Sequence, residues 1–107
     1  MKQSAPVDVP AGHRRLVLSI LAAHLPPGSA AWVFGSRATG RARPFSDLDL
    51  AIDAGRRLTL DEVASLAEAF SESDLPDKVD VVDWRGIDER FRQMIMAERA
   101  ELGDKMT

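Results

Sequence analysis

From Gly35 to Asp53 the chain reads Gly-Ser-Arg-Ala-Thr-Gly-Arg-Ala-Arg-Pro-Phe-Ser-Asp-Leu-Asp-Leu-Ala-Ile-Asp. This stretch leaves few architectures open. The apolar run Ala30 to Phe34 ahead of it reads as a strand, and Gly35-Ser36 breaks that strand. Asp47 to Ile52 then alternates polar with apolar, the period of a half-buried strand. Leu48, Leu50 and Ile52 are placed toward the core. Asp47 and Asp49 share the opposite face.

Two carboxylates spaced by two on a strand have α-carbons roughly 6–7 Å apart and project the same way. Such a pair can converge on a hard cation such as Mg²⁺, which takes oxygen ligands and keeps coordination free for substrate phosphates. Two ions about 3.5–4 Å apart could clamp the attacking and leaving oxygens of a phosphoryl displacement. The Gly35-Ser36 turn supplies a complementary part. Glycine permits close approach of the backbone to a phosphate, and N–H groups at the start of a following helix favour negative charge. The Ser36 hydroxyl can donate one more hydrogen bond. Arg37, Arg41 and Arg43 lie beside this turn and are either a solvated loop or phosphate contacts.

Gly35-Ser36, ten intervening residues, and Asp47-Leu48-Asp49 together resemble the signature of the DNA polymerase beta-like nucleotidyltransferases. The chain is most similar to the minimal nucleotidyltransferase (MNT) antitoxins paired with HEPN-domain toxins. The resemblance spans the chain by element order, but its specific part is Gly35 to Asp53. It implies an α/β (α+β) nucleotidyltransferase fold, a small mixed sheet flanked by helices, with three acids clustered along one edge. The third acid of that superfamily sits on a later strand, and Asp80 in Lys78-Val79-Asp80-Val81-Val82-Asp83 is the matching position. Alternation puts Val79 and Val81 on one face and Asp80 and Val82 on the other. An acid between buried valines costs free energy unless it is paired or binds metal.

The remaining elements follow from periodicity and caps. A helix is expected from about Ala11 to Leu25, with Leu16, Val17, Ile20, Leu21 and His24 recurring at helical spacing, stopped by Pro26-Pro27-Gly28. His13 and His24 fall roughly 16 Å apart along it, too far for one metal, and read as surface or boundary residues. A short helix is expected between the first two strands. Thr59-Leu60-Asp61-Glu62 matches a capping box, and its helix runs to about Glu72 with Val63, Leu66, Ala67 and Phe70 buried. Val79 to Val82 is the third strand, and Trp84-Arg85-Gly86 turns the chain. A last helix is expected from Asp88 to Leu102, with Phe91, Met94, Ile95 and Leu102 on one side and Gly103 as its C-terminal cap. Asp53, Asp77 and Asp83 read as turn residues. Met94 and Met96 read as packing or partner surface.

Composition sets outer bounds. One domain over residues 1–107 is expected, with a flexible lead-in over residues 1–10. Apolar content of 45% suits a single core. The chain has no cysteine, which excludes disulfide and thiolate-metal scaffolds. With no signal-peptide pattern and no membrane-span window, a cytoplasmic location is expected. A net charge of −3 argues against a direct nucleic-acid footprint.

The expected activity is Mg²⁺-dependent nucleotidyl transfer from ATP or another nucleoside triphosphate. Asp47, Asp49 and Asp80 are the catalytic and metal-holding residues, and Gly35, Ser36 and Arg37 take the nucleotide phosphates. Once these elements are assigned, little chain remains to shape an acceptor pocket, so the acceptor is expected to be a protein. The resemblance implies a HEPN ribonuclease toxin inactivated by AMP on a tyrosine hydroxyl. Two alternatives stand beside it. One is a nucleotidyltransferase subunit for a small molecule such as an aminoglycoside. The other is a non-catalytic antitoxin that occludes its partner, with Phe91, Met94, Ile95 and Met96 as the docking surface.

Overall fold

The computed structural model describes residues 11–35, 47–76 and 78–102, with Glu101 described by its backbone alone. Helix α1 spans Ala11–His24 and strand β1 Ala30–Phe34. Strand β2 spans Leu48–Asp53, helix α2 Leu60–Ser71 and strand β3 Val79–Asp83. A single 3-10 turn, Trp84–Gly86, leads to helix α3, Glu89–Glu98, and a two-residue strand β4, Ala100–Glu101. The short helix expected between the first two strands, like Ser36, Arg37, Arg41, Arg43, Asp77 and Gly103, lies outside the described residues.

The four strands form one mixed sheet in the order β3-β2-β1-β4. β1 is antiparallel to β2 and to β4, while β2 and β3 are parallel. Parallel neighbours need a crossover, and α2 provides it. The sheet is buried on both sides. On one face Leu48, Leu50, Ile52 and Val33 pack with Val17 and Leu21 of α1 and with Leu66 and Phe70 of α2. On the other face Phe34 and Ala51 pack with Ile95 of α3, flanked by Trp32, Val82, Trp84, Ile87 and Phe91. The alternation read for β2 therefore holds at Leu48, Leu50 and Ile52. Its second face is half closed, because α3 covers Ala51.

The helix starts are set locally. Thr59 Oγ1 accepts the Glu62 N–H at 3.1 Å and Glu62 Oε1 accepts the Thr59 N–H at 2.8 Å, the reciprocal pair that the sequence pattern predicts. Glu62 also takes Arg56 in a two-pronged ion pair at 2.8 and 2.6 Å. The Arg56 hydrogen bond, helped by the Thr59 N–H, lowers the Glu62 carboxyl to about 2. Asp88 caps α3 by accepting the Phe91 N–H at 2.9 Å. His24, on the exposed end of α1, donates from Nδ1 to the Ile20 carbonyl oxygen at 2.9 Å.

The last segment departs from expectation. α3 stops at Glu98 rather than Leu102, so Gly103 cannot be its cap. Arg99 turns extended, with φ −67° and ψ 150°, and Ala100 and Glu101 pair with Val33 and Trp32. Ile95 belongs to the cluster on one face of the sheet, and Leu102, 1% exposed, to the cluster on the other. The chain therefore passes around the β1 edge between them. Spacing of seven is compatible with one helix face, but here it joins residues on opposite sides of a sheet. Met94 (46% exposed) and Met96 (55%) face solvent, so Met94 is not part of a buried stripe.

Thr59→Ala removes one half of the reciprocal cap. It should lower unfolding free energy by about 1 kcal/mol, read from urea denaturation, without changing the sheet.

Candidate active site

The register of the parallel pair decides what this protein can hold. Asp49 of β2 lies opposite Asp80 of β3. Neighbouring strands are about 4.8 Å apart, so two acids at paired positions stand side by side on the same face. Asp47 precedes Asp49 by two and shares that face. A hydrogen bond from the Leu48 N–H to the Lys78 carbonyl at 2.8 Å ties the entry of β2 to that of β3. The structure thus brings together the acids Asp47, Asp49 and Asp80 at one end of the sheet.

Gly35 closes the same site from β1. Its neighbour Phe34 pairs with Asp49 across the antiparallel ladder. Gly35 has φ +77°, and a methyl carbon built on it would stand 2.5 Å from Asp49 Oδ2. The residue is glycine for two reasons: the backbone is left-handed, and the Asp49 carboxylate occupies the space of a side chain. The sequence reading gave Gly35 a phosphate to approach. What the described residues place against it is the acid itself. Ser36 and Arg37, the other expected phosphate contacts, lie outside the described residues.

A fourth carboxylate, which the sequence reading missed, completes the cluster. Glu98, the last residue of α3, accepts the Gly35 N–H on Oε1 at 2.9 Å. An acid in the last turn of a helix opposes the helix dipole, and that breach of a local rule is the signal that could have exposed it. It is visible only once the helix is known to end at Glu98.

Charge accumulates on Asp49. Partial burial, then the charges of Asp80, Asp47 and Glu98, raise its pKa above the ordinary carboxylate value. Asp53 behaves oppositely. Partial burial would raise it, but hydrogen bonds from Arg85 and the Gly55 N–H outweigh this, and the carboxyl is lowered. Arg85 Nε reaches Asp53 Oδ1 at 2.8 Å, and the Gly55 N–H reaches the same oxygen at 2.9 Å. Asp83 accepts the N–H groups of Arg85 and Leu58 at 3.1 and 2.9 Å. Both end their strands and accept N–H groups of the turns that follow, the turn role expected of them, and neither is among the acids that act on Asp49.

The donor set is all oxygen and all acidic, which suits a hard divalent cation. Among the described residues no group of three or more His, Cys, Asp or Glu side chains is placed so as to hold a metal ion.

Similarity to known proteins accords with this geometry. The family described as polymerase beta nucleotidyltransferase matches residues 19–106. The chain belongs to that family. It is a nucleotidyltransferase by descent. The chain is 43% identical over 95 residues to a Haemophilus influenzae protein named "Probable protein adenylyltransferase MntA", covering 89% of this chain and 82% of that one. A crystal structure described as a toxin-antitoxin with AMP-PNP matches with a TM-score of 0.75 and 25% identity, over 86% of this chain and 73% of that one. A tri-AMPylated Shewanella oneidensis HEPN toxin in complex with MNT antitoxin has a chain of the same fold, with a TM-score of 0.68 and 23% identity, over 86% and 70%. Among the described residues no helix is long and apolar enough to cross a membrane.

Two variants test this site. Asp49→Asn should raise the melting temperature at pH 7. The sign follows from the raised pKa: the folded chain holds this proton more tightly than the unfolded chain, so ionisation costs stability above the folded pKa. The advantage of the variant should vanish as pH falls below the unfolded value. The same variant should lose nucleotidyl transfer by roughly 10³-fold, since several kcal/mol of charge stabilisation go with the carboxylate. Gly35→Ala should instead lower stability by about 1–3 kcal/mol, because its backbone is left-handed and its methyl group displaces Asp49.

Proposed function

We propose that this chain is an antitoxin that transfers AMP from ATP to a tyrosine hydroxyl of a partner HEPN ribonuclease toxin. The observation that carries the reading is Asp49 paired with Asp80 across the parallel ladder, with Asp47 on the same face and Gly35 seated against the Asp49 carboxylate. A cluster of like charges at one end of a sheet is costly to hold and serves no packing purpose. The MntA relative carries adenylyltransferase in its name, and the AMP-PNP structure is a toxin-antitoxin. The chain contains no tyrosine, so a tyrosyl acceptor must come from another molecule.

In this reading Asp47, Asp49 and Asp80 would hold Mg²⁺, which when bound would neutralise charge on the phosphates and on the leaving pyrophosphate. The phosphates lie over the Gly35-Ser36 turn, where Arg37 adds positive charge. The acceptor hydroxyl oxygen forms a bond to the α-phosphorus. The bond from that phosphorus to the β-phosphate bridging oxygen breaks, and pyrophosphate departs with the electron pair. The hydroxyl proton passes to Asp80, which faces the reacting centre from the edge strand. Catalysis is mostly positioning and charge placement, with little covalent work for the protein.

Intact mass spectrometry of a HEPN-type toxin incubated with this chain, ATP and Mg²⁺ should show added AMP units. Asp80→Asn should reduce the rate by about 10²–10⁴-fold, the usual worth of a positioned base, while ATP binding persists. AMP on an aminoglycoside and none on the toxin would instead favour the small-molecule reading. Toxin neutralisation that survives loss of Asp47 and Asp49 would favour occlusion.

A further inference from the structure

Glu98 is at the site for a reason the acid triad does not supply. Its Oε1 accepts the Gly35 N–H, so that N–H faces protein rather than a ligand. It also stands close enough to Asp49 to add to the charge there. An acid at the C-terminal end of a helix, beside another acid, is disfavoured by the helix dipole and by the neighbouring charge. The residues that follow it are tied to the helix and to β1. The Arg99 N–H closes the helix on the Ile95 carbonyl at 2.7 Å. The Arg99 guanidinium lies 4.3 Å from the Trp32 ring centroid and 5.9 Å from that of Trp84. Ala100 then pairs with Val33, one residue before Phe34. Glu98 is thus fixed to the same strand whose end it grips.

We infer that Glu98 is a positioning residue: by accepting the Gly35 N–H it sets the left-handed turn at the end of β1, and so the placement of the nucleotide-binding turn relative to Asp49. This rests on the nucleotidyl-transfer reading above, since only a bound nucleotide gives that placement a use. Ser36 is covalently the next residue, so the orientation of Gly35 is the starting point of the segment assigned to the phosphates. The role requires an acceptor oxygen at Glu98 and does not require its charge.

Glutamine keeps the oxygen and drops the charge, while alanine drops both. The full chain and its Glu98→Gln and Glu98→Ala variants are assayed for AMP transfer from ATP to a HEPN-type toxin, with melting temperatures measured alongside. Glu98→Ala should lower kcat by about 10–100-fold, with a smaller change in KM for ATP, as expected when a reacting group is misplaced by about an ångström. Glu98→Gln should restore most of that loss and melt no lower than the parent. A second readout is independent of activity. The Gly35 amide proton in a nitrogen-15 correlation spectrum should be shifted downfield and protected in the parent and in Glu98→Gln, and shifted back in Glu98→Ala. Equal loss of kcat in both variants would overturn the inference, because the charge would then be what matters. So would an unchanged kcat in Glu98→Ala, or a Gly35 amide indifferent to Glu98. A parent that transfers no AMP defeats the functional reading alone, and the Gly35 amide then decides whether Glu98 orders the turn.

Discussion

A carboxylate pressed against its like is the constraint around which this small protein is arranged. Asp49 faces Asp80 across a parallel ladder, and no local preference would put it there. What holds it is the opposite face of the same strand. Leu48, Leu50 and Ile52 are buried against α1 and α2. Each such side chain contributes about 1.5–3 kcal/mol. Repulsion between two part-solvated charges about 4 Å apart is of similar size to one or two of these side chains. A slip of one residue would send Asp49 into the core and Leu50 into the site, losing all three burials at once. The apolar face therefore fixes the register, and the register makes the acid pair.

The glycine at the end of β1 follows from the same constraint. Burial and three neighbouring acids act on Asp49, and space must be found for its carboxylate. Position 35 leaves that space by having no side chain, and the backbone there is left-handed. In the sequence, Gly35 looks like a hinge for a phosphate. In the fold it is also a hollow for an acid, and the two roles are compatible because the acid and the phosphate are expected to share one cation.

What could be read in the chain beforehand was whatever short-range rules determine. The Thr59–Glu62 cap and the apolar face of Leu48, Leu50 and Ile52 depend on residues a few positions apart, and each formed as expected. Strand directions were not legible, because alternation carries no information on parallel or antiparallel pairing. Asp80 could be placed on a face but not at a register position. The end of α3 was misread for a related reason. Phe91, Ile95 and Leu102 fit a helical period, and nothing within the segment marks the point where Arg99 leaves the helix. What surrounds that point comes from Trp32 and Trp84, residues distant in sequence, whose rings receive the Arg99 guanidinium.

The misread ending is also where the fold and the site meet. Had α3 run on to Leu102, the edge of β1 would be left unpaired and Leu102 would be on the wrong side of the sheet to fill its core. Stopping at Glu98 allows Ala100 and Glu101 to cover that edge and lets Leu102 pack behind it. It also leaves a carboxylate at the helix end, level with Gly35, where a helix terminus would ordinarily favour a cation. The turn at Arg99, packed on the tryptophan pair, thus joins two things: how the sheet is closed, and which side chain meets the turn beside Asp49. A substitution that loosened Arg99 from its rings would act on the acids through Glu98, without touching any of them.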